Sequence, residues 1–229
     1  MANILLIHGA LGNGAQLRSL AERCTPHRTQ LLELTGHGRS PLPPEGLSYE
    51  RFFADIDATI EGQGKVHLFG YSMGGYAALV YAAMHPAKVA SVTTLGSKLL
   101  WDGAGLNALL KRLDAEAIQQ FVPKYAERLA NDHGDPRWRD VVKATADLVA
   151  HDFRAPLLTP AVFAEVKCPV LLCSGDRDDT ALAPDTLKAA AMLSDGGALI
   201  LPRTKHPFDL VDLDLFVPFL LRFWRGVPA

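Results

Sequence analysis

An apolar strand that breaks directly into a serine flanked by glycines constrains this chain more than any other feature. Residues 66–71 read Val-His-Leu-Phe-Gly-Tyr, and the small, apolar residues after Ser72 predict a buried helix. Gly70 and Gly74 lack a Cβ atom, so strand and helix can approach closely while Ser72 takes a strained backbone conformation. Such a turn holds Oγ of Ser72 at a helix N-terminus, where the helix dipole favours developing negative charge. The pattern Gly-x-Ser-x-Gly therefore indicates a nucleophilic serine in this setting.

The composition is typical of a soluble globular protein. The chain has 229 residues, of which 48% are hydrophobic and 21% charged, with a net charge of −2. This near-neutral balance favours neither nucleic acid nor an anionic membrane as a partner. The opening apolar run, residues 4–7, is too short for a signal-peptide core or a membrane span, so we expect a cytoplasmic protein. We expect its three cysteines, Cys24, Cys168 and Cys173, to be reduced, because their spacing is not that of a metal site. Cys168 and Cys173 border one apolar strand and are expected to be buried.

Short aliphatic runs alternate with amphipathic stretches along most of the chain. This alternation predicts an α/β fold in which helices cover both faces of a mostly parallel sheet of about six strands. The last helix is expected over residues 208–224. No repeat, low-complexity tract or linker interrupts the pattern, so residues 1–229 are expected to form a single domain.

The alternation stops between the fourth and fifth predicted strands. Residues 98–164 carry a helical pattern instead, over residues 108–113, 115–129 and 138–150. An excursion of this length predicts a helical lid over the carboxyl ends of the strands, where open α/β sheets bind ligands. Four aromatic residues either line the underside of this lid or form its own small core: Trp101, Phe121, Trp138 and Phe153.

The chain resembles the α/β-hydrolase superfamily over nearly its whole length. Four motifs in the expected order carry the resemblance: residues 8–12 (His-Gly-Ala-Leu-Gly), residues 36–40 (Gly-His-Gly-Arg-Ser), the turn at Ser72, and residues 175–178 (Gly-Asp-Arg-Asp) followed by His206. Two edge strands present in many members are not expected here, and the glycine usual before the histidine is replaced by Lys205. The resemblance implies the α/β-hydrolase fold with a short N-terminus, which is compatible with the alternation of strands and helices.

The resemblance implies a catalytic triad and an oxyanion hole. In this family the order of the triad is serine, acid, histidine, which fits Ser72 and His206. The residue after His-Gly and the residue after the serine supply the two oxyanion N–H groups, which would be those of Ala10 and Met73. The family's spacing from the strand-end glycine favours Asp178 as the acid. Asp176 in the same loop is the alternative, unless it only bonds the backbone of its own loop.

Three functions remain open on these residues. The first is a serine hydrolase, resembling an esterase, that cleaves a small ester, thioester or similar acyl bond through an acyl-enzyme. The second is a carbon–carbon bond hydrolase, or a lyase of the menaquinone-pathway type. That lyase commonly has arginine where this chain has Tyr76. The third is a binding module without catalysis. None of these requires a metal or an organic cofactor, and the oligomeric state is left undetermined.

Overall fold

The computed structural model of the protein describes residues 1–227 and contains a six-stranded sheet. The strand order is β2-β1-β3-β4-β5-β6, and every neighbouring pair is parallel. The predicted fold class is therefore confirmed. The strands are β1 (Asn3–Ile7), β2 (Arg28–Leu32), β3 (Val66–Tyr71), β4 (Val89–Leu95), β5 (Val170–Gly175) and β6 (Gly196–Leu201).

Helices cover both faces of this sheet. They are α1 (Arg18–Arg23), α2 (Tyr49–Ile60), α3 (Met73–Met84), α4 (Gly103–Arg112), α5 (Ala115–Phe121), α6 (Pro123–His133), α7 (Trp138–Arg154), α8 (Pro160–Glu165), α9 (Ala183–Ala190) and α10 (Leu213–Arg225). Side chains of α2, α3, α8 and α9 belong to the larger core on one face of the sheet. Side chains of α1 and α10 belong to the core on the other face.

Strand β3 and the helix that follows it are deeply buried. All six residues of β3 are buried, and α3 is buried from Met73 to Ala82. An element buried on all sides needs apolar side chains on all sides, which explains the continuous apolar runs in both segments. Ser72 connects the two elements.

Helices α4 to α8 lie between β4 and β5, in the segment predicted as an insertion; we call residues 98–164 the helical insertion. It has a hydrophobic cluster of its own, in which Trp138 is 1% exposed and Trp101 packs at the edge. One member of this cluster, Leu11, comes from outside the insertion. The aromatic residues of the insertion therefore differ in their surroundings: Trp138 lies in this core, whereas the side chain of Phe121 is 73% exposed to solvent.

Two predicted helices are each broken in the structure. The helix expected over residues 115–129 is two helices, α5 and α6, because Pro123 cannot donate the backbone hydrogen bond that would continue α5. The helix expected over residues 208–224 is a short 3-10 turn followed by α10. The carboxylate of Asp212 starts α10 by accepting hydrogen bonds from the N–H groups of Asp214 (3.0 Å) and Leu215 (3.1 Å).

All three cysteines are buried and free, and burial was predicted for Cys168 and Cys173; burial raises the pKa of the Cys24 thiol to about 11. Within residues 1–227, none of the helices is long and apolar enough to cross a membrane.

His67 is a buried histidine in the middle of β3. Its Nδ1 atom lies 2.7 Å from the hydroxyl oxygen of Ser91 on the neighbouring strand. Burial lowers the pKa of His67 from 6.5 to about 4, so the imidazole is neutral in the folded protein at neutral pH. The unfolded chain takes up this proton near pH 6.5, whereas the folded protein takes it up only near pH 4. Acid therefore favours unfolding in this window.

Replacing His67 with asparagine should weaken the pH dependence of stability between pH 6.5 and about 4. One proton contributes a slope of at most about 1.4 kcal/mol per pH unit, and the variant should lose part of that slope. Urea unfolding across this pH range measures it. The control is His151→Gln, because the His151 side chain is exposed. An unchanged slope in His67→Asn would contradict the prediction.

Candidate active site

Ser72 occupies a sharp turn between β3 and α3. Its φ of 51° and ψ of −117° lie in a region that non-glycine residues rarely adopt, at a cost of about 1–3 kcal/mol. The close approach on either side explains the glycines. A Cβ atom on Gly74 would collide with the carbonyl oxygens of Ile7 and His8, and one on Gly70 would collide with Gly74 itself. The turn is thus in close backbone contact with the ends of β1 and β3.

Hydrogen bonds from the end of β4 hold the strained turn. The N–H of Ser72 donates to the carbonyl oxygen of Leu95 at 2.8 Å. The hydroxyl of Ser97 donates to the carbonyl oxygen of Ser72, also at 2.8 Å. Both backbone polar groups of Ser72 are therefore paired, while its side chain is partly exposed.

His206 and Asp178 meet at the carboxyl ends of β6 and β5. Nδ1–H of His206 donates to both carboxylate oxygens of Asp178, at 2.9 and 3.1 Å. The same carboxylate accepts the N–H groups of Thr180 and Ala181, each at 2.8 Å. Asp178 is 6% exposed and so is held in one orientation. Because Nδ1 carries the proton, Nε2 of His206 is left as a free acceptor.

The alternative acid, Asp176, lies elsewhere. Its side chain is exposed and accepts the N–H of Thr204 at 3.2 Å, which ties the loop after β5 to the loop after β6. Of the two candidate carboxylates, the structure brings Asp178, and not Asp176, to His206. This pair lies beside the end of β4, because a Cβ atom on Gly96 would lie 3.2 Å from Asp178 Oδ2 and 3.3 Å from His206 Cε1. The preceding residue, Leu95, is the one that accepts the N–H of Ser72.

Tyr71, the residue before the serine, also supports His206. Its buried hydroxyl donates to the carbonyl oxygen of His206 at 2.8 Å, and the two rings lie 5.5 Å apart. The ring of Tyr71 is itself confined, since a Cβ atom on Gly9 would lie 2.8 Å from it. This role is not visible in the sequence, because nothing local to Tyr71 indicates a partner 135 residues away.

The loop after β1 lies beside the serine because Ile7 pairs with Gly70 in the sheet. His8 fixes the start of this loop. Its Nε2 accepts the N–H of Leu34 at 3.1 Å, so Nδ1 carries the proton and donates to the carbonyl oxygen of Gly9 at 2.8 Å. That carbonyl belongs to the same planar peptide group as the N–H of Ala10, so fixing one orients the other. Burial lowers the pKa of His8 to about 4 and keeps it neutral.

Two backbone N–H groups are available to a ligand at this point. Neither Ala10 nor Met73 donates its N–H to any other group of the described chain. Met73 is the first residue of α3, where the helix dipole favours an anion. A Cβ atom on Gly9 would lie 3.2 Å from the Cβ of Ser72, which shows how near the two loops are.

Residues 9–12 form a tight turn, closed by a hydrogen bond of 3.1 Å from the N–H of Gly12 to the carbonyl oxygen of Gly9. Its third residue, Leu11, has a φ of 57°, a value that such turns usually give to glycine. The left-handed conformation costs a leucine roughly 1–2 kcal/mol. The surroundings of Leu11 must therefore hold this turn in place.

Tyr76 turns away from the serine and into the protein interior. Its hydroxyl donates to Asp152 of α7 at 2.9 Å and accepts the N–H of Leu158 at 3.0 Å. Tyr76 is 3% exposed, and its hydrogen bonds connect the helical insertion to α3.

Arg39, in the loop of residues 36–40, is exposed. In the described residues, no group of three or more His, Cys, Asp or Glu side chains is arranged to hold a metal ion.

Comparisons with known proteins agree on the fold. A family model for the alpha/beta hydrolase fold matches residues 2–144. The chain is 28% identical to a pimeloyl-(acyl-carrier protein) methyl ester esterase of Aeromonas salmonicida, over 67% of this chain and 64% of that esterase. It is 27% identical to the 2-succinyl-6-hydroxy-2,4-cyclohexadiene-1-carboxylate synthase of Yersinia enterocolitica, over 76% of this chain and 71% of that synthase. The crystal structure of NosK from Streptomyces actuosus has a TM-score of 0.84 at 23% identity, covering 98% of each chain.

Replacing Gly74 with alanine should destabilise the protein, because the new Cβ would meet two backbone carbonyl groups that cannot move aside. We expect a loss of about 1–3 kcal/mol in the free energy of unfolding, measured by urea denaturation. Gly103 of α4 is the matched control, since a Cβ atom there has nothing within 4 Å. Equal stability of Gly74→Ala and Gly103→Ala would contradict the close packing described for this turn.

Proposed function

Because the chain belongs to the α/β-hydrolase fold family and is an enzyme of that fold, we propose that it is a serine hydrolase acting on a small molecule. The bond cleaved is a carboxylic ester, a thioester or a similar acyl bond. The observation that carries this proposal is the hydrogen bond of 2.9 Å from His206 to Asp178, beside the strained Ser72.

In this proposal Ser72 is the nucleophile and His206 the base. Nε2 of His206 takes the proton of the serine hydroxyl as Oγ attacks the acyl carbon. Asp178 keeps the imidazole in the required tautomer and stabilises the positive charge that develops on it. His206 then gives the proton to the leaving group, which departs and leaves the acyl group on Ser72. In the second half of the reaction, His206 takes a proton from water as the water attacks the acyl carbon. His206 then returns that proton to Oγ of Ser72, which releases the acid.

The oxyanion hole is formed by the free N–H groups of Ala10 and Met73. Both lie next to Ser72, and neither has a protein acceptor among residues 1–227. A fixed donor aimed at the developing oxyanion contributes about 10²–10³ in rate. The Met73 group also benefits from the dipole of α3.

We also propose that the helical insertion is a lid over this site. Two ion pairs attach it to the two loops that carry the acid and the base. Arg112 of α4 binds Asp179 at 2.9 Å, next in sequence to Asp178. Arg128 of α6 binds Asp209 at 2.9 Å, three residues after His206. Both pairs are exposed, so each stabilises the lid by at most about 1 kcal/mol.

A carbon–carbon bond hydrolase or lyase on the same triad is the second candidate, and the match to the Yersinia enterocolitica synthase favours it. One observation weighs against it. The position at which that class of lyase commonly has an arginine is occupied here by Tyr76, which is buried and already bonded to Asp152. Its side chain is therefore not available to bind a substrate carboxylate.

Replacing Ser72 with alanine should abolish ester hydrolysis while the protein stays folded. We expect turnover to fall by several orders of magnitude, up to about 10⁶-fold, because the triad acts as a unit. The measurement is the hydrolysis of p-nitrophenyl esters from acetate to palmitate by wild type and Ser72→Ala. Equal rates for the two proteins would contradict the proposal. Turnover of carboxylated dienone substrates, with no turnover of simple esters, would support the carbon–carbon candidate instead.

The two aspartates of one loop should differ strongly in their effect on rate. Asp178→Asn removes the charge that orients His206, and we expect a loss of about 10³–10⁴ in kcat. Asp176→Asn is the matched control. It changes an exposed carboxylate in the same loop, which bonds only the N–H of Thr204, and should cost less than about 10-fold. The opposite ranking would assign the acid to Asp176.

A further inference from the structure

One side chain of the helical insertion bonds directly to the loop that carries Ala10. His133, the last residue of α6, is 2% exposed and uses both of its ring nitrogens. Its Nδ1 accepts the N–H of Gly38 at 2.9 Å, so the proton is on Nε2. Nε2–H then donates to the carbonyl oxygen of Leu11 at 3.1 Å. This histidine connects the insertion to two loops of the sheet at once.

The side chain of Leu11 leads into the insertion as well. Leu11 is 3% exposed and belongs to the same hydrophobic cluster as Leu129 and Trp138. Its left-handed conformation is unfavourable for leucine and persists only where neighbours hold it. Those neighbours all belong to the insertion: the apolar side chains of the cluster pack against the Leu11 side chain, and His133 binds the Leu11 carbonyl oxygen.

Arg137 fixes the position of His133 relative to Gly38. Its guanidinium donates to the carbonyl oxygens of His133 at 2.8 Å and of Gly36 at 3.2 Å, and also to that of Gly38. The distance between the end of α6 and residues 36–38 is thereby fixed. Nδ1 of His133 is therefore held where it can accept the hydrogen bond from the N–H of Gly38.

We propose that His133 is a positioning residue for the oxyanion hole, because it holds the Leu11 end of the turn whose Gly9 end is held by His8. This inference rests on the hydrolase function proposed above. The N–H of Met73 belongs to α3 and needs nothing from the insertion. The N–H of Ala10 belongs to the turn that His133 and the insertion hold.

The donor position within the imidazole allows a sharp test. Glutamine at position 133 reaches as far as Nε2 and can still donate to Leu11. Asparagine reaches only as far as Nδ1, so it can accept from Gly38 but cannot donate to Leu11. We expect His133→Gln to keep kcat within about 3-fold of wild type. His133→Asn should lose about 10- to 100-fold in kcat, less than the full loss of one oxyanion donor, with KM changed by less than about 3-fold.

A second readout does not depend on the substrate. A fluorophosphonate labels an activated serine through a transition state that also places negative charge in the oxyanion hole. The labelling rate of Ser72, followed by intact mass, should fall in His133→Asn by a similar factor and stay near wild type in His133→Gln. His151→Gln, an exposed histidine of the insertion, is the control. Thermal melting of each variant separates a loss of fold from a loss of rate.

The outcomes are distinguishable. If His133→Asn is as fast as wild type, or both variants are slowed equally, the positioning role is wrong. It is also wrong if the loss follows the melting temperature or appears in KM alone. If Ser72→Ala hydrolyses the esters as fast as wild type and Ser72 is not labelled, the hydrolase function and this inference both fail. If Ser72→Ala is inactive and only His133→Asn is slowed, both are supported.

Discussion

The close contact of α3 with β1 and β3 is the constraint on which the site depends. Gly70 and Gly74 allow backbone to touch backbone at this point, and any side chain there would force the elements apart. The contact confines Ser72 to a conformation with positive φ, and it also brings the end of β1 alongside. One packing arrangement therefore places the nucleophile, the helix dipole and the strand end that leads into the Ala10 turn.

Neutral histidines are needed for the polar network around that turn. His8 and His133 each use one ring nitrogen as an acceptor and the other as a donor, which only an uncharged imidazole can do. Burial is the main reason that the pKa values of both lie below 6.5. His37, packed 5.1 Å from His8 and 6.0 Å from His133 between ring centroids, has its pKa lowered for the same reason. The apolar surroundings thus select the protonation state that the hydrogen bonds require.

The sequence predicted the features that depend on neighbouring residues. The strand, the glycines and the helix around Ser72 are contiguous, and the order of strands places Asp178 and His206 at the same edge of the sheet. Contacts between distant segments were not predictable, because they depend on how helices pack. Tyr71 with His206 and His133 with Leu11 are of this kind. The break before Pro123 could have been predicted, because proline is a local signal for the end of a helix. The prediction of one helix over residues 115–129 relied on the hydrophobic periodicity and gave no weight to the proline.

The separate hydrophobic cluster of the helical insertion has an evolutionary consequence. Its members come from residues 98–164, apart from Leu11, so substitutions confined to this cluster can reshape the outer part of the insertion without repacking the sheet. The rest of the insertion has less freedom, because Leu99, Ala144, Leu148, Leu158 and Phe163 belong to the larger core on the sheet. Leu11 sets a further limit: any replacement in the cluster must still offer it an apolar cavity. Selection for a new substrate that acts on this cluster would therefore also act on the turn beside Ser72.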